Sequence, residues 1–286
     1  MEKINEIIAA VDTSAMADEV LKRAIAVSRE HNADLTVVHA IEVPFMEFPF
    51  LESIDEDAVK EKLEARVGNL GGASELTYRV LVKRGAPSEV VTFESERIGA
   101  DLIVLGSHGK ENIESSYFGS TIRKIIQKTH VPALVVKNRA DRAYSRMIAP
   151  TNLTEYSEKS ILFAKSLFAE ASMTYLHAYE TISEVQAEFY RINAEEIEHL
   201  QNKMASYAKI EMEKFMERVG SAKTLLIEKT ASVNEDLLEA IREEKPDLVV
   251  LGSKGVESLN SFIFGSTATY ISQNTPTDVL VYVPEA

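Results

Sequence analysis

Short apolar runs alternate with amphipathic stretches along the first half of the chain. Ile7 to Val11, Leu35 to His39, Leu76 to Val82, Leu102 to Leu105 and Ala133 to Val136 read as strands. Two of these, Leu102-Ile103-Val104-Leu105 and Ala133-Leu134-Val135-Val136, are apolar throughout. That pattern suits strands covered on both faces. Between the strands, Ala17, Val20, Leu21, Ala24 and Val27 recur at helical spacing within a helix expected over Ser14 to Glu30. Further helices are expected near Asp55 to Val67, over Pro87 to Ile98 and over Ser120 to Lys128. The third of these four opens with proline in its first turn, where the missing N–H costs little. A loop rich in Pro and Phe, Pro44 to Phe50, precedes the second helix.

The same order returns in the second half. Its strands are Met147 to Ala149, Thr174 to His177, Thr224 to Ile227, Leu248 to Leu251 and Val279 to Val283. Its second helix is long, about Ile182 to Val219, and its Glu and Lys residues predict a solvated face. The segments Asp101 to Thr129 and Asp247 to Thr275 agree at roughly half their positions. Ala33 to Glu42 aligns with Ala171 to Glu180 in the same way. Two long copies mean tandem domains, residues 1–140 and 141–286, joined by a short polar linker over Asn138 to Ser145. Strands alternating with helices imply a parallel sheet with helices on both faces in each copy, an α/β fold of two tandem open sheets.

Composition narrows the function. The 286 residues are 45% hydrophobic and 27% charged, ordinary values for a globular protein. There is no cysteine, which excludes disulfides and thiolate chemistry. The formal net charge is −14, against the basic face that nucleic acid or an anionic membrane surface requires. The N-terminus has no signal-peptide layout and no apolar run reaches the length of a membrane span. A cytoplasmic protein is therefore expected.

The candidate chemistry sits in a glycine loop present in both copies. Gly106-Ser107-His108-Gly109 is followed nine residues later by Gly119-Ser120-Thr121, and Gly252-Ser253-Lys254-Gly255 by Gly265-Ser266-Thr267. Each loop lies between a strand and a helix start, where unpaired backbone N–H groups favour an anion such as phosphate. Gly106 and Gly109 would let backbone approach a phosphate and take positive φ where needed. Gly119 would relieve crowding at the helix start, and Ser120 and Thr121 would add hydroxyl donors. His108 and Lys110 could supply positive charge. In an open parallel sheet, ligands sit at the carboxyl ends of strands where the strand order reverses. Asp12 and the stretch His39-Ala40-Ile41 end strands expected there, and Asp12 is placed to accept a hydrogen bond from an amine or a ribose hydroxyl. It could equally cap the following helix.

His39 and His177 recur at one position, where a histidine usually packs or bonds to backbone; no metal ligand set is expected. His31, His130 and His199 read as surface residues. Gly109-Lys110-Glu111 is not a Walker A loop, no G-x-G-x-x-G follows the first strand and no G-x-S-x-G is present. No base with an orienting partner stands out, so binding is favoured over turnover.

Val11-Asp12 at the end of strand one, the His39 strand, Gly85-Ala86-Pro87 and the doubled G-x2-G-x9-G-S/T spacing resemble the universal stress protein family over nearly the whole chain. The resemblance implies five-stranded parallel sheets of order 3-2-1-4-5. It implies ATP or AMP as ligand, with Mg or Mn accompanying a triphosphate. It implies adenine contacts at Asp12 and the Ala40 backbone. Gly106, His108 and Gly109 would lie along ribose and phosphates, with Gly119, Ser120 and Thr121 on phosphate oxygens. It also implies pairing through the last strands, around Val131 to Val136 and Val279 to Val283, either between the two halves or in a homodimer.

The second half departs from that pattern. Pro150-Thr151 replaces Val11-Asp12, and Lys229-Thr230-Ala231-Ser232 replaces Gly85-Ala86-Pro87, while Gly252, Gly255, Gly265, Ser266 and Thr267 remain. The first half is therefore expected to bind nucleotide more tightly. The second would bind it weakly, only pair with the first, or take another ligand, with Phe189, Tyr190 and Phe262 suggesting an apolar one. The leading function is a nucleotide-binding stress protein with little or no catalysis. A slow ATPase or adenylyl-transfer enzyme on a related fold, and a ligand-free interaction scaffold, stay open beside it.

Overall fold

The computed structural model describes residues 3–42, 54–107, 119–230, 232–253 and 265–283. The first half runs β1 (Glu6–Ala10), α1 (Ala17–His31), β2 (Asp34–Ile41), α2 (Glu56–Gly68), β3 (Tyr78–Arg84), α3 (Pro87–Ile98), β4 (Leu102–Gly106), α4 (Ser120–Lys128) and β5 (Ala133–Val136). The second runs β6 (Arg146–Pro150), α5 (Glu155–Leu167), β7 (Ser172–Tyr179), α6 (Glu184–Tyr190), α7 (Ala194–Val219), β8 (Lys223–Glu228), α8 (Val233–Glu244), β9 (Leu248–Gly252), α9 (Ser266–Asn274) and β10 (Asp278–Tyr282). The strand and helix order of the sequence pattern holds, and α3 begins with Pro87 at its first position.

The two expected tandem sheets are joined edge to edge. The ten strands form one sheet in the order β3-β2-β1-β4-β5-β10-β9-β6-β7-β8. Each half keeps the order 3-2-1-4-5, with parallel neighbours. The halves meet where β5 and β10 pair antiparallel, Leu134 opposite Leu280 and Val135 opposite Val279. All four of these residues are fully buried. The edge strand of each copy is thus covered by the other, which removes a template for aggregation. Because this one pair is antiparallel, the carboxyl ends of the first half's strands share an edge with the amino ends of the second half's.

Side chains alternate across the sheet with period two. Ile7, Leu102, Leu134 and Leu280 face one core with α1, α2, α5 and α7. Ile8, Ile103, Val135 and Val279 face the other with α3, α4, α8 and α9. Both cores include residues of both halves, so apolar packing is continuous across the seam. A matching polar staple sits at each amino edge. Asp101 Oδ2 accepts from the N–H groups of Asn5 and Glu6, and Asp247 Oδ2 from those of Ser145 and Arg146.

The long helix expected over Ile182 to Val219 is two helices. Arg191 adopts the left-handed conformation at φ 55° and closes α6. Asn193 then starts α7, its side chain accepting from the Glu196 N–H while the Glu196 carboxylate reaches back to the Asn193 N–H. In α7 only Ala208, Met212, Phe215 and Val219 are buried, in keeping with the expected solvated face. The linker is more than a tether: Tyr144 is buried, and Ala140 N–H donates to Glu19 on α1. His31 is also tied inward, its Nε2 lying 2.9 Å from Leu167 O in the other half, and His130 is half-buried; His199 is exposed.

Candidate functional site

The strand order reverses at β1 and β4, and the loops leaving β2, β1 and β4 gather at the carboxyl edge of the first half. Asp12 follows β1, Ala40 lies near the end of β2 and Gly106 ends β4. The structure therefore brings Asp12, Ala40 and Gly106 to one edge, with Gly119, Ser120 and Thr121 at the start of α4 after β4. His108 and Gly109 lie outside the described residues, as do Lys110, Gly255, Phe262 and the Pro44–Phe50 loop.

His39 fixes the exit of β1. Its Nδ1 is 2.8 Å from Val11 O, and since a carbonyl only accepts, Nδ1 carries the proton. His177 repeats the contact with Thr151 O at 2.9 Å. Both rings serve backbone geometry, as their strand-end positions suggest. Among the described residues no group of three or more His, Asp or Glu side chains could hold a metal ion.

Asp12 Oδ1 accepts from Ser14 N at 2.9 Å, closing a tight turn ahead of α1. It does not cap the helix itself, which begins later, at Ala17, behind a Met16 that offers no side-chain cap. Asp12 Oδ2 takes no bond from a described residue. Beside it, Ser14 Oγ is buried and has no hydrogen-bond partner among the described residues. A buried hydroxyl without a partner costs stability, of the order of 1–3 kcal/mol, unless something completes it.

Of the roles expected of the glycines, positive φ is not found at Gly106, nor crowding at Gly119 among the described residues. Gly119 caps α4 at φ −59° and Gly265 caps α9 at φ −57°, values open to any residue. Neither Gly106 nor Gly252 is among the positive-φ residues. Among the described residues, a methyl group at Gly119 would meet only Ser107 O, at 3.9 Å, and one at Gly252 would meet Tyr156 O at 3.5 Å, with Ser160 Oγ and Tyr156 C at 3.8 Å. These are ordinary contact distances, so among the described residues neither backbone strain nor crowding demands glycine there. The Gly119 cap also leaves the helix amides without side-chain acceptors. The first helical bond runs from Arg123 N to Gly119 O, so the N–H groups of Ser120, Thr121 and Ile122 have no intrahelical partner. α9 repeats this arrangement behind Gly265, with Ser266 and Thr267 in its first turn.

The second half differs at the turn that follows its first strand. Thr151 Oγ1 accepts from Leu153 N at 3.0 Å, the same turn without a carboxylate. Leu153 stands where the first half has Ser14, in a left-handed conformation at φ 62°, and packs on the core. α4 carries Arg123, Lys124 and Lys128, whereas α9 carries no lysine or arginine. Phe189 and Tyr190 are exposed on α6 and pack edge to face on one another with ring centroids 5.2 Å apart.

Comparison with known proteins places this arrangement. The model of the universal stress protein family matches twice, over residues 3–137 and 143–283. The chain belongs to the universal stress protein family. A universal stress protein of Methanocaldococcus jannaschii, MJ0531, is 30% identical over 138 residues, covering 46% of this chain and 81% of that protein. One from Mycolicibacterium smegmatis is 22% identical over 302 residues and covers 97% of both chains. The crystal structure of a putative universal stress protein from Pseudomonas aeruginosa UCBPP-PA14 superposes with a TM-score of 0.70 at 15% identity, over 97% of this chain and 92% of that one, which shows the shared tandem fold. Another member has been solved in complex with cAMP, at 17% identity and a TM-score of 0.37 over 47% of this chain and 98% of that one; the ligand is a property of that protein. Among the described residues no helix is long and apolar enough to cross a membrane.

Proposed function

We propose that this universal stress protein binds an adenine nucleotide, ATP or AMP, in its first half, and acts through interactions that depend on occupancy rather than through turnover. One observation carries the reading: Asp12 and the Ser14 hydroxyl, which has no partner among the described residues, lie at the same sheet edge as a glycine-capped helix start. Asp12 would take the base or a ribose hydroxyl, with the Ala40 backbone beside it. The amides of Ser120 and Thr121 would take phosphate oxygens, and Arg123 and Lys124 lend positive potential nearby. A divalent cation, Mg or Mn, would come with a triphosphate. The domain boundary near residue 140 and a cytoplasmic location belong to the same reading.

The second half is read as a pairing partner with a weak site. Thr151 offers a hydroxyl where the first half has the Asp12 carboxylate, and Leu153 offers none where it has Ser14, although Gly252, Gly265, Ser266 and Thr267 keep the phosphate end. Pairing through the last strands is met inside one chain by β5 and β10, so nucleotide binding on this reading needs no second copy.

Isothermal titration of the whole chain with ATP and AMP, with and without Mg, tests it. Asp12→Ala should weaken ATP at least tenfold, about 1.4 kcal/mol. Thr151→Ala should leave the tighter site unchanged. Wild-type protein without affinity for either nucleotide, or Thr151→Ala having the larger effect, would overturn the proposal.

A further inference from the structure

A cavity of about 430 Å³ lies at the seam between the halves. Its walls come from α1, the connecting residues after β5, the end of α8 and the turn into β10. It shares no lining residue with Asp12, Ser14, Gly106 or Gly119. In a chain of net charge −14, it collects Arg23, Arg139, Arg142, Arg146, Arg242 and Lys245 around one space. Only Asp247 and Asp278 oppose them among the lining residues.

Both carboxylates are already engaged. Asp278 accepts from Tyr144 Oη, from the Lys137 and Asn138 N–H groups and from Asn138 Nδ2. Asp247 accepts from the Ser145 and Arg146 N–H groups and from Ser145 Oγ, and pairs with Arg142 at 3.2 Å. No carboxylate of a described residue lies within ion-pair distance of Arg23, Arg139, Arg242 or Lys245. Arg23 is 4% exposed, donates to Arg142 O at 3.0 Å, and keeps a buried Nε with no partner among the described residues.

The α9 carbonyls that would repel an anion are covered. Lys137 Nζ donates to Ser272 O and Thr275 O, and Arg242 lies 3.4 Å from Asn274 O. Bringing several cations together costs Coulomb energy that a multivalent anion recovers. Five of the six are arginines, whose planar forks match phosphate oxygens. The aromatic ring in the lining, Tyr144, already carries the Arg23 guanidinium 3.8 Å from its centroid and stands perpendicular to Phe168 at 4.9 Å. The space also lies within the size range of small-ligand pockets.

We infer that the seam cavity binds a compact oligophosphate chain, without need of a base, and thereby ties the two halves together. The inference is independent of the nucleotide site.

Titration of the whole chain with sodium tripolyphosphate at 0.15 M salt tests it. Arg242 and Lys245 are both exposed, and Asn tolerates the left-handed conformation of Lys245. The double variant Arg242→Gln/Lys245→Asn should bind at least tenfold more weakly. Arg123→Gln/Lys124→Gln, on α4, should bind as wild type. No binding by wild type, no loss in the first variant, or equal loss in both would overturn the inference. Loss in the α4 variant alone would place the anion at the helix start and overturn it too. Competition by ATP then separates the sources: displacement identifies a nucleotide's phosphate tail, and its absence a free oligophosphate, each consistent with the cavity. Asp12→Ala, which should impair ATP binding at the first site, should leave tripolyphosphate binding intact, so the two readings fail separately.

Discussion

Tyr144 Oη donates to Asp278 Oδ2 at 2.6 Å, a buried bond between the segment that joins the halves and the first residue of the last strand. The same carboxylate receives two backbone N–H groups from the chain leaving β5. One side chain therefore secures the exit of the first half and the start of β10. A hydrogen bond to a charged group contributes about 1.5–3 kcal/mol. Tyr144→Phe keeps the ring under Arg23 and against Phe168 but removes that donor. It should lower the free energy of unfolding by about that amount, read from urea denaturation, with little change in the denaturant slope. An unchanged midpoint would show that the bond adds nothing net.

Lys137 follows β5, and burial pushes its ammonium down to about 8, with Asp278 partly opposing the shift. The folded value lies below the unfolded one near 10.5, so above pH 8 the unfolded state holds the proton more strongly. Stability must then rise with pH between those values, because the fold no longer houses the charge. The neutral amine still has two N–H groups for Ser272 O and Thr275 O. Denaturation at pH 7.5 and pH 9.5 should show a gain of about 1–2 kcal/mol, absent in Lys137→Met. Above pH 10 the trend should reverse. Burial, followed by Asp278, raises the Tyr144 phenol, so the unfolded tyrosine ionises first and pulls the equilibrium toward unfolding. A flat profile in wild type would remove the burial argument.

The break between α6 and α7 makes two opposite predictions. Asn193→Ala loses the capping side chain and should destabilise by about 1 kcal/mol. Arg191→Gly relieves a left-handed backbone at an exposed position and should stabilise by about 0.5–1 kcal/mol. Thermal melts of the two variants should move in opposite directions from wild type; movement in the same direction would contradict the cap assignment.

The sequence carries a sign of that break. Asn193-x-x-Glu196 is a capping-box pattern, hidden by the Glu- and Lys-rich periodicity on either side. The strands were legible because Leu102-Ile103-Val104-Leu105 and its counterparts are covered on both faces, which leaves one reading of a short apolar run. Fusion into one sheet was legible only through the family resemblance, which pairs the last strands but leaves open whether within one chain or between two. The apolar run that suits β5 to a buried strand says only that something covers it, and Leu280 as the partner is a long-range fact. Tyr144 gave no signal either, being a single aromatic in a polar linker with no period around it. The arginines of the seam cavity come from α1, the linker, β6 and α8, and only the fold assembles them. At the candidate nucleotide site, the positions of Asp12, Ala40, Gly106 and Gly119 followed from the repeat and the strand-end rule. That Gly119 is neither strained nor crowded among the described residues did not, because φ and free space are properties of the folded chain.

Gly119 offers the sharpest separation of folding from binding. At φ −59°, alanine fits the backbone, and its methyl would lie 3.9 Å from Ser107 O. Removing glycine's freedom in the unfolded chain favours the variant by about 0.4–1 kcal/mol. Alanine is a poorer cap than glycine by a similar amount, on the order of 0.5–1 kcal/mol, so the two effects nearly cancel. Gly119→Ala should melt close to wild type. If a phosphate oxygen approaches the Ser120 and Thr121 amides, however, the methyl projects beside its path and ATP should bind at least tenfold more weakly. Gly72→Ala is the contrasting control: at φ 88° with Arg29 side-chain atoms 2.9 Å away, it should destabilise the fold and spare binding in the folded fraction. Unaltered ATP affinity in a folded Gly119→Ala protein would mean that nothing approaches the helix start, and glycine at this cap would be left without a cause.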